Sequence, residues 1–173
     1  MKDRPQSLAE VAERADALET FGPEFQDWLH TIRSIHNRTS IERAIAAEPR
    51  ILRGRFPGGD VADAWLAAYA EHIAARAELP IPDWANDSSR VSPEPWFSVD
   101  SPRERELALR DSPPAFRTRN LFTPKVDLPL RFLAGRPRKS AEEKRRNNAE
   151  RQRRLRARRA VELQLLREIV SGE

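Results

Sequence analysis

The chain has no cysteine in 173 residues, which excludes disulfides, thiolate nucleophiles and cysteine-ligated metal together. Histidine is scarce as well. His30, His36 and His72 are the only imidazoles, and no two stand at the i, i+3 or i+4 spacing of a helical metal site. No window approaches 18 continuous apolar residues, and the amino terminus, MKDRPQSLAEVAERAD, lacks the apolar stretch of a signal peptide. The expectation is a cytoplasmic protein with no membrane segment. Chemistry-bearing motifs are missing too. Gly54 to Asp60 (GRFPGGD) has no preceding strand and no Lys-Ser/Thr after its glycines, so it reads as a turn and not a phosphate cradle. Asp111 and Ser112 have no histidine at a readable triad distance. The chain is therefore expected to be non-enzymatic, with no catalytic residue, no metal and no cofactor.

What is present is charge, unevenly placed. Residues 131–173 hold 14 Lys+Arg against 6 Asp+Glu, net +8, and residues 1–130 hold 17 against 21, net −4. The formal +4 thus conceals an acidic body and a basic arm. Such a division suggests nucleic acid as the partner of the arm and a different partner for the body. With 39% hydrophobic residues and a mean hydropathy of −0.73, the chain supports one core of about 100 to 130 residues.

Periodicity makes the body helical. Ser7 with Glu10 forms a capping box ahead of Leu8, Val11, Ala12, Ala15 and Leu18. Gly22 and Pro23 then punctuate, and Phe25, Trp28, Leu29, Ile32 and Ile35 form the stripe of a second helix. Thr39 with Glu42 predicts the cap of a short third helix, ended or restarted by Pro49. Asp60 is the expected N-cap of the longest helix, running to about Glu78, with Val61, Trp65, Ala68, Tyr69, His72 and Ile73 inward. Residues 80–102 carry Pro80, Pro82, Pro93, Pro95 and Pro102, too many for a regular helix or central strand. Trp84, Trp96 and Phe97 are spaced through that stretch, which predicts an ordered wrap over the helices instead of a linker. Arg103 to Arg110 reads as one short helix, and Phe116 to Phe122 as a short strand or extended loop. The predicted fold is mainly α: a helical body over residues 1–130, with a Pro/aromatic-rich wrap at 80–130, and a basic arm at 131–173.

The arm begins with Gly135-Arg136-Pro137-Arg138-Lys139, which resembles an AT-hook core. Pro137 favours an extended backbone, Gly135 permits close approach, and the arginines answer the negative potential of a narrow A·T minor groove; general phosphate attraction is the other reading. From Ser140 to about Val170 a long basic helix is expected. Lys144, Arg145, Arg146, Asn148, Arg151, Arg153, Arg154, Arg156, Arg158 and Arg159 complete the expected nucleic-acid-binding set, DNA being favoured over RNA. Seven or eight phosphate contacts predict a log-log salt slope of roughly −6 to −7 on duplex DNA. The Asn148 to Arg156 spacing also resembles a leucine-zipper basic region, but Arg151 and Gln152 stand where that family has small alanines. Moreover, the seam Ala160, Leu163, Leu166, Val170 is shorter than two heptads. Weak self-association as a homodimer, or docking of the seam on the body, remains open, as does a solvated tail without a site.

One further segment of the body draws notice. Phe116-Arg117-Thr118-Arg119-Asn120 sets two arginines and an amide amid apolar residues. It either offers forked donors to a partner, together with Trp84, Trp96 and Phe97, or staples the Pro-rich loop through Asp83, Asp87 or Asp100.

Three segments, AWLAAYAEHIAARAELPIPDW (64–84), PWF (95–97) and SPPAFRTRNLF (112–122), give the region from about Phe25 to Leu130 an order of elements that resembles a little-characterised helical domain of bacterial, especially actinobacterial, proteins. The resemblance implies an antitoxin-like or transcription-regulatory component, with a nucleotidyltransferase-like toxin as protein partner. Members often carry a helix-turn-helix segment, and this chain has none at its start, so DNA binding would fall to the arm. The alternative is a stand-alone nucleic-acid-binding accessory protein of a plasmid or prophage, with a body that merely dimerises.

Overall fold

The computed structural model describes residues 3–126 together with 128, 130, 152 and 153. The chain divides into two compact units, Met1–Ala134 and Gly135–Glu173. The first is mainly helical, with α1 (Leu8–Arg14), α2 (Leu18–Ser34), α3 (Arg38–Ala46), α4 (Gly59–Ala77), α5 (Pro102–Asp111) and α6 (Pro114–Arg117). Two 3₁₀ turns, Asp83–Asn86 and Ser88–Arg90, follow α4, and β1 (Trp96–Phe97) pairs in parallel with β2 (Leu121–Phe122). In the second unit only Gln152 and Arg153 are described, both helical and exposed. The rest of the expected AT-hook-like segment and basic helix lies outside the described residues.

Caps decide where the helices begin. Ser7 accepts the Glu10 N–H at 3.2 Å and starts α1 as expected, but α1 stops at Arg14 and leaves Leu18 to open α2. The break falls at Ala15–Ala17 and not at Gly22-Pro23. Thr20 is the reason: its hydroxyl accepts the N–H groups of Asp16 and Ala17, each at 3.1 Å, and satisfies orphan donors ahead of the helix. Pro23 is then only the sixth residue of α2 and forfeits a single bond, to the Glu19 carbonyl. The buried row Phe21, Phe25, Trp28, Leu29 and Ile32 offsets that loss. Likewise α3 is capped by Asn37, which accepts the Ser40 N–H at 2.8 Å, two residues before the expected Thr39 cap.

The longest helix departs furthest from expectation. Its N-cap is Gly58, in the left-handed region at φ +82°, and Asp60 lies in the first turn, where its charge suits the helix dipole. Gly59 must be glycine, because a Cβ there would stand 2.2 Å from the Leu52 carbonyl oxygen. Instead of one buried face, α4 is buried nearly all round: Ala62, Ala64, Leu66, Ala67, Ala70 and Ala74 are covered, whereas Val61, Trp65 and His72 are only half-buried. Its many alanines allow close approach of α2, α3, α6, both 3₁₀ turns and β2. The helix is the axis of the body.

The wrap is ordered by a helix cap and by hydrogen bonds between its two halves. Ser101 caps α5 by accepting the Glu104 N–H at 3.2 Å, with Pro102 at the first helical position. Ser112 is buried, and its hydroxyl accepts the Thr123 N–H at 2.7 Å. The Trp96 N–H donates to the Asn120 carbonyl at 2.8 Å, tying the two halves of the wrap through the β1–β2 pair. Asn120 takes φ +58°, which asparagine tolerates better than most residues, and its Nδ2 donates to the Ser92 carbonyl at 2.8 Å. The segment expected as strand or loop is thus both helix and strand: α6, a turn, then β2.

Candidate partner-binding groove

Three elements converge on an open apolar groove of about 510 Å³. From α2 come Phe21 and Phe25, one helical turn apart; from α4 come Val61, Trp65 and Tyr69 on an i, i+4, i+8 row; Trp96 arrives on β1. The rings hold one another in place. Phe25 meets Tyr69 edge-on at 4.8 Å between centroids, Trp65 stacks on Tyr69 at 5.6 Å, and Trp96 meets Trp65 edge-on at 5.5 Å. Leu18 stands at the mouth with 51% of its surface exposed. Gly58 lies beneath it, and a side chain there would meet Leu18 Cδ1 at 3.5 Å.

Such a surface is preorganised, since large side chains already held by their neighbours lose little rotamer freedom when a ligand docks. It offers apolar contact and almost no titratable chemistry. The closest imidazole on α4, His72, packs against Phe116 at 5.8 Å, with its Nε2 buried and lacking a hydrogen-bond partner. Burial, reinforced by the Arg76 charge, holds its pKa below the ordinary histidine value, against an opposing pull from Glu71. Among the described residues no group of three or more His, Cys, Asp or Glu is placed to hold a metal ion. No helix among them is long and apolar enough to cross a membrane.

The expected partner-binding residues separate. Trp96 and Phe97 are half-buried, Trp96 lining the groove and Phe97 stacking on Phe122 at 5.0 Å between ring centroids. Trp84 is 7% exposed and donates its Nε1–H to the Ile45 carbonyl at 3.1 Å. Phe116 is fully buried against Trp65 and Tyr69. Arg119 is a staple, but not to Asp83, Asp87 or Asp100. It pairs with Glu71 of α4 at 2.5 Å and donates to the carbonyls of Ala115 at 2.7 Å and Ala85 at 2.6 Å, which locks α6 and the first 3₁₀ turn onto α4. Of the two arginines, only Arg117 faces solvent. Within the arm, Arg153 is exposed, and the other expected nucleic-acid contacts, Gly135 to Arg159, lie outside the described residues.

A buried ionic clasp escaped the sequence reading. Asp63 and Arg90 are both fully buried, with Arg90 Nη1 3.5 Å from Asp63 Oδ1. The carboxylate also accepts the Leu52 N–H at 3.0 Å and the Arg53 N–H at 2.8 Å. Arg90 donates to the Pro49 carbonyl at 2.5 Å and lies over the Trp84 ring at 4.9 Å. Burial raises the Asp63 carboxyl above its ordinary value, against the pull of the two backbone N–H groups and then of Arg90. The clasp fastens residues 49–53 and the second 3₁₀ turn to α4. One signal was available: Asp63 is the single charged residue in the otherwise apolar run Val61-Ala62-Asp63-Ala64-Trp65-Leu66, where a carboxylate needs a buried partner.

No family model, no curated protein and no solved structure matches this chain.

Proposed function

We propose that this chain is an antitoxin-like or transcription-regulatory protein, whose body holds a protein partner, a toxin, and whose arm over residues 135–159 binds DNA. The observation that carries the reading is the open aromatic groove of α2, α4 and β1, which offers mainly apolar contact. It is joined in sequence to a segment of net charge +8 at residues 131–173. An aromatic, preorganised surface suits a macromolecular partner, since such side chains dominate binding hot spots. A charge of that density suits a polyanion.

Two measurements test the two halves. Titration of duplex DNA with the full chain should give a log-log salt slope of roughly −6 to −7, and removal of residues 135–173 should abolish binding. A slope near zero, or full binding by the truncated chain, rejects the arm as the DNA-binding element. For the body, the tagged chain is recovered from its host with and without nuclease. A stoichiometric protein that survives nuclease, and is lost when Leu18 and Trp96 are both replaced by serine, supports the partner reading. Recovery of nucleic acid alone rejects it in favour of a stand-alone nucleic-acid-binding protein.

A further inference from the structure

A second groove, separate from the aromatic one, opens between α3 and the segment Pro80–Trp84, with a volume of about 440 Å³. Its chemistry is different. Glu42, Glu48 and Asp83 line it together with Ile45, Ile81 and Trp84, and neither lysine nor arginine is among its lining residues. All three carboxylates are exposed. Glu48 has a distant partner, Arg90 at 3.5 Å, and keeps 65% of its side chain in solvent. Glu42 and Asp83 form no ion pair among the described residues. Ile81 leaves 39% of its surface open, an apolar contact that the body does not cover.

From this juxtaposition we infer that the groove is a docking site for an arginine-rich segment of a protein partner. The charge has the right sign for it: Glu42 and Asp83 form no ion pair among the described residues and Glu48 has only Arg90 at 3.5 Å, on a body whose residues 1–130 carry net −4. The shape fits as well. Arginine stems cover apolar surface while their heads stay in water, so Pro80, Ile81 and Pro82 match the stems and the carboxylates match the guanidinium forks. A small cation is a poor occupant, because no three acidic or imidazole groups among the described residues converge on one point. Nucleic acid is repelled. The inference does not rest on the function proposed above, which concerns the other groove and the arm.

The test is fluorescence anisotropy of a fluorescein-labelled peptide of alternating arginine and leucine, titrated with the nuclease-treated full chain at physiological ionic strength. Three variants are compared with the parent: Glu42→Gln/Glu48→Gln/Asp83→Asn; Ile81→Ser; and a charge-matched control on exposed carboxylates elsewhere, Glu19→Gln/Glu94→Gln/Glu106→Gln. All substituted residues are exposed, and far-UV circular dichroism confirms that the fold is kept. The groove triple should weaken the peptide about tenfold, as expected for three solvent-facing pairs, and Ile81→Ser should weaken it severalfold at unchanged charge. The control should leave it within about twofold of the parent. Equal weakening by the control overturns the inference in favour of general charge attraction. So does absence of peptide binding, or indifference to both groove variants.

Discussion

Trp65 and Asp63 are two residues apart on α4, about 200° around the helix, and their surroundings are opposite in kind. On the Trp65 side, Phe25, Tyr69 and Trp96 pack by ring contacts and leave an open groove. On the Asp63 side, a carboxylate is sealed from water by the Leu52 and Arg53 N–H groups and by Arg90, whose own Nε is buried without a hydrogen-bond partner. Aromatic packing tolerates a free edge, because each ring loses only contact area there. A buried charge does not, because every lone pair left without a donor carries its full desolvation penalty. The polar side therefore closes against α4, and the aromatic side keeps an open edge.

That contrast can be broken most forcefully at Arg90. Arg90→Ala leaves Asp63 without its charged partner and should lower stability by about 3–5 kcal/mol, read as a fall in the denaturant midpoint; an unchanged midpoint would mean that the clasp does not hold the body together. Next comes Gly59→Ala, which drives a methyl group into the Leu52 carbonyl and should cost about 1–3 kcal/mol, checked by the same denaturation curve. A smaller, pH-dependent effect belongs to His72. Its pKa is lowered in the folded state, so the unfolded chain takes up the proton first, and the contribution to stability, complete above about pH 6.5, is lost progressively as pH falls below it. His72→Phe should flatten the stability profile below about pH 6.5, and a profile as steep as the parent's there would assign the dependence to other groups. The smallest stability effect is at the groove mouth. Leu18→Ser should change stability by no more than about 0.5 kcal/mol and yet weaken retention of a nuclease-resistant partner. A large loss of stability would mean that Leu18 serves the core and not the groove.

How much of this was legible depends on the range of the interaction. The apolar rows of α2 and α4, the Ser7 cap and the ordering of the Pro-rich stretch by its aromatics follow from local spacing. The caps that were misplaced, Thr39 for Asn37 and Asp60 for Gly58, fail for one reason: several adjacent residues can cap, and the choice rests on which backbone conformation the packed helix admits. Arg119 was recognised as a candidate staple, but its acceptors, Glu71 and the Ala85 carbonyl, lie 48 and 34 residues away, beyond any sequence pattern. The groove was only half visible, since Phe25, Trp65 and Tyr69 read as core and nothing local indicated that their edges would stay open.

By itself the sequence determined that the body is mainly helical, where its apolar rows run, and that acidic and basic residues are parted along the chain, because periodicity and charge are properties of neighbours. Only the tertiary structure decided that α4 is enclosed on all sides, that Asp63 finds Arg90 and that Trp65 keeps an open edge. Those outcomes depend on which distant segments arrive at each face of one helix, and on whether the arriving groups can satisfy what they cover.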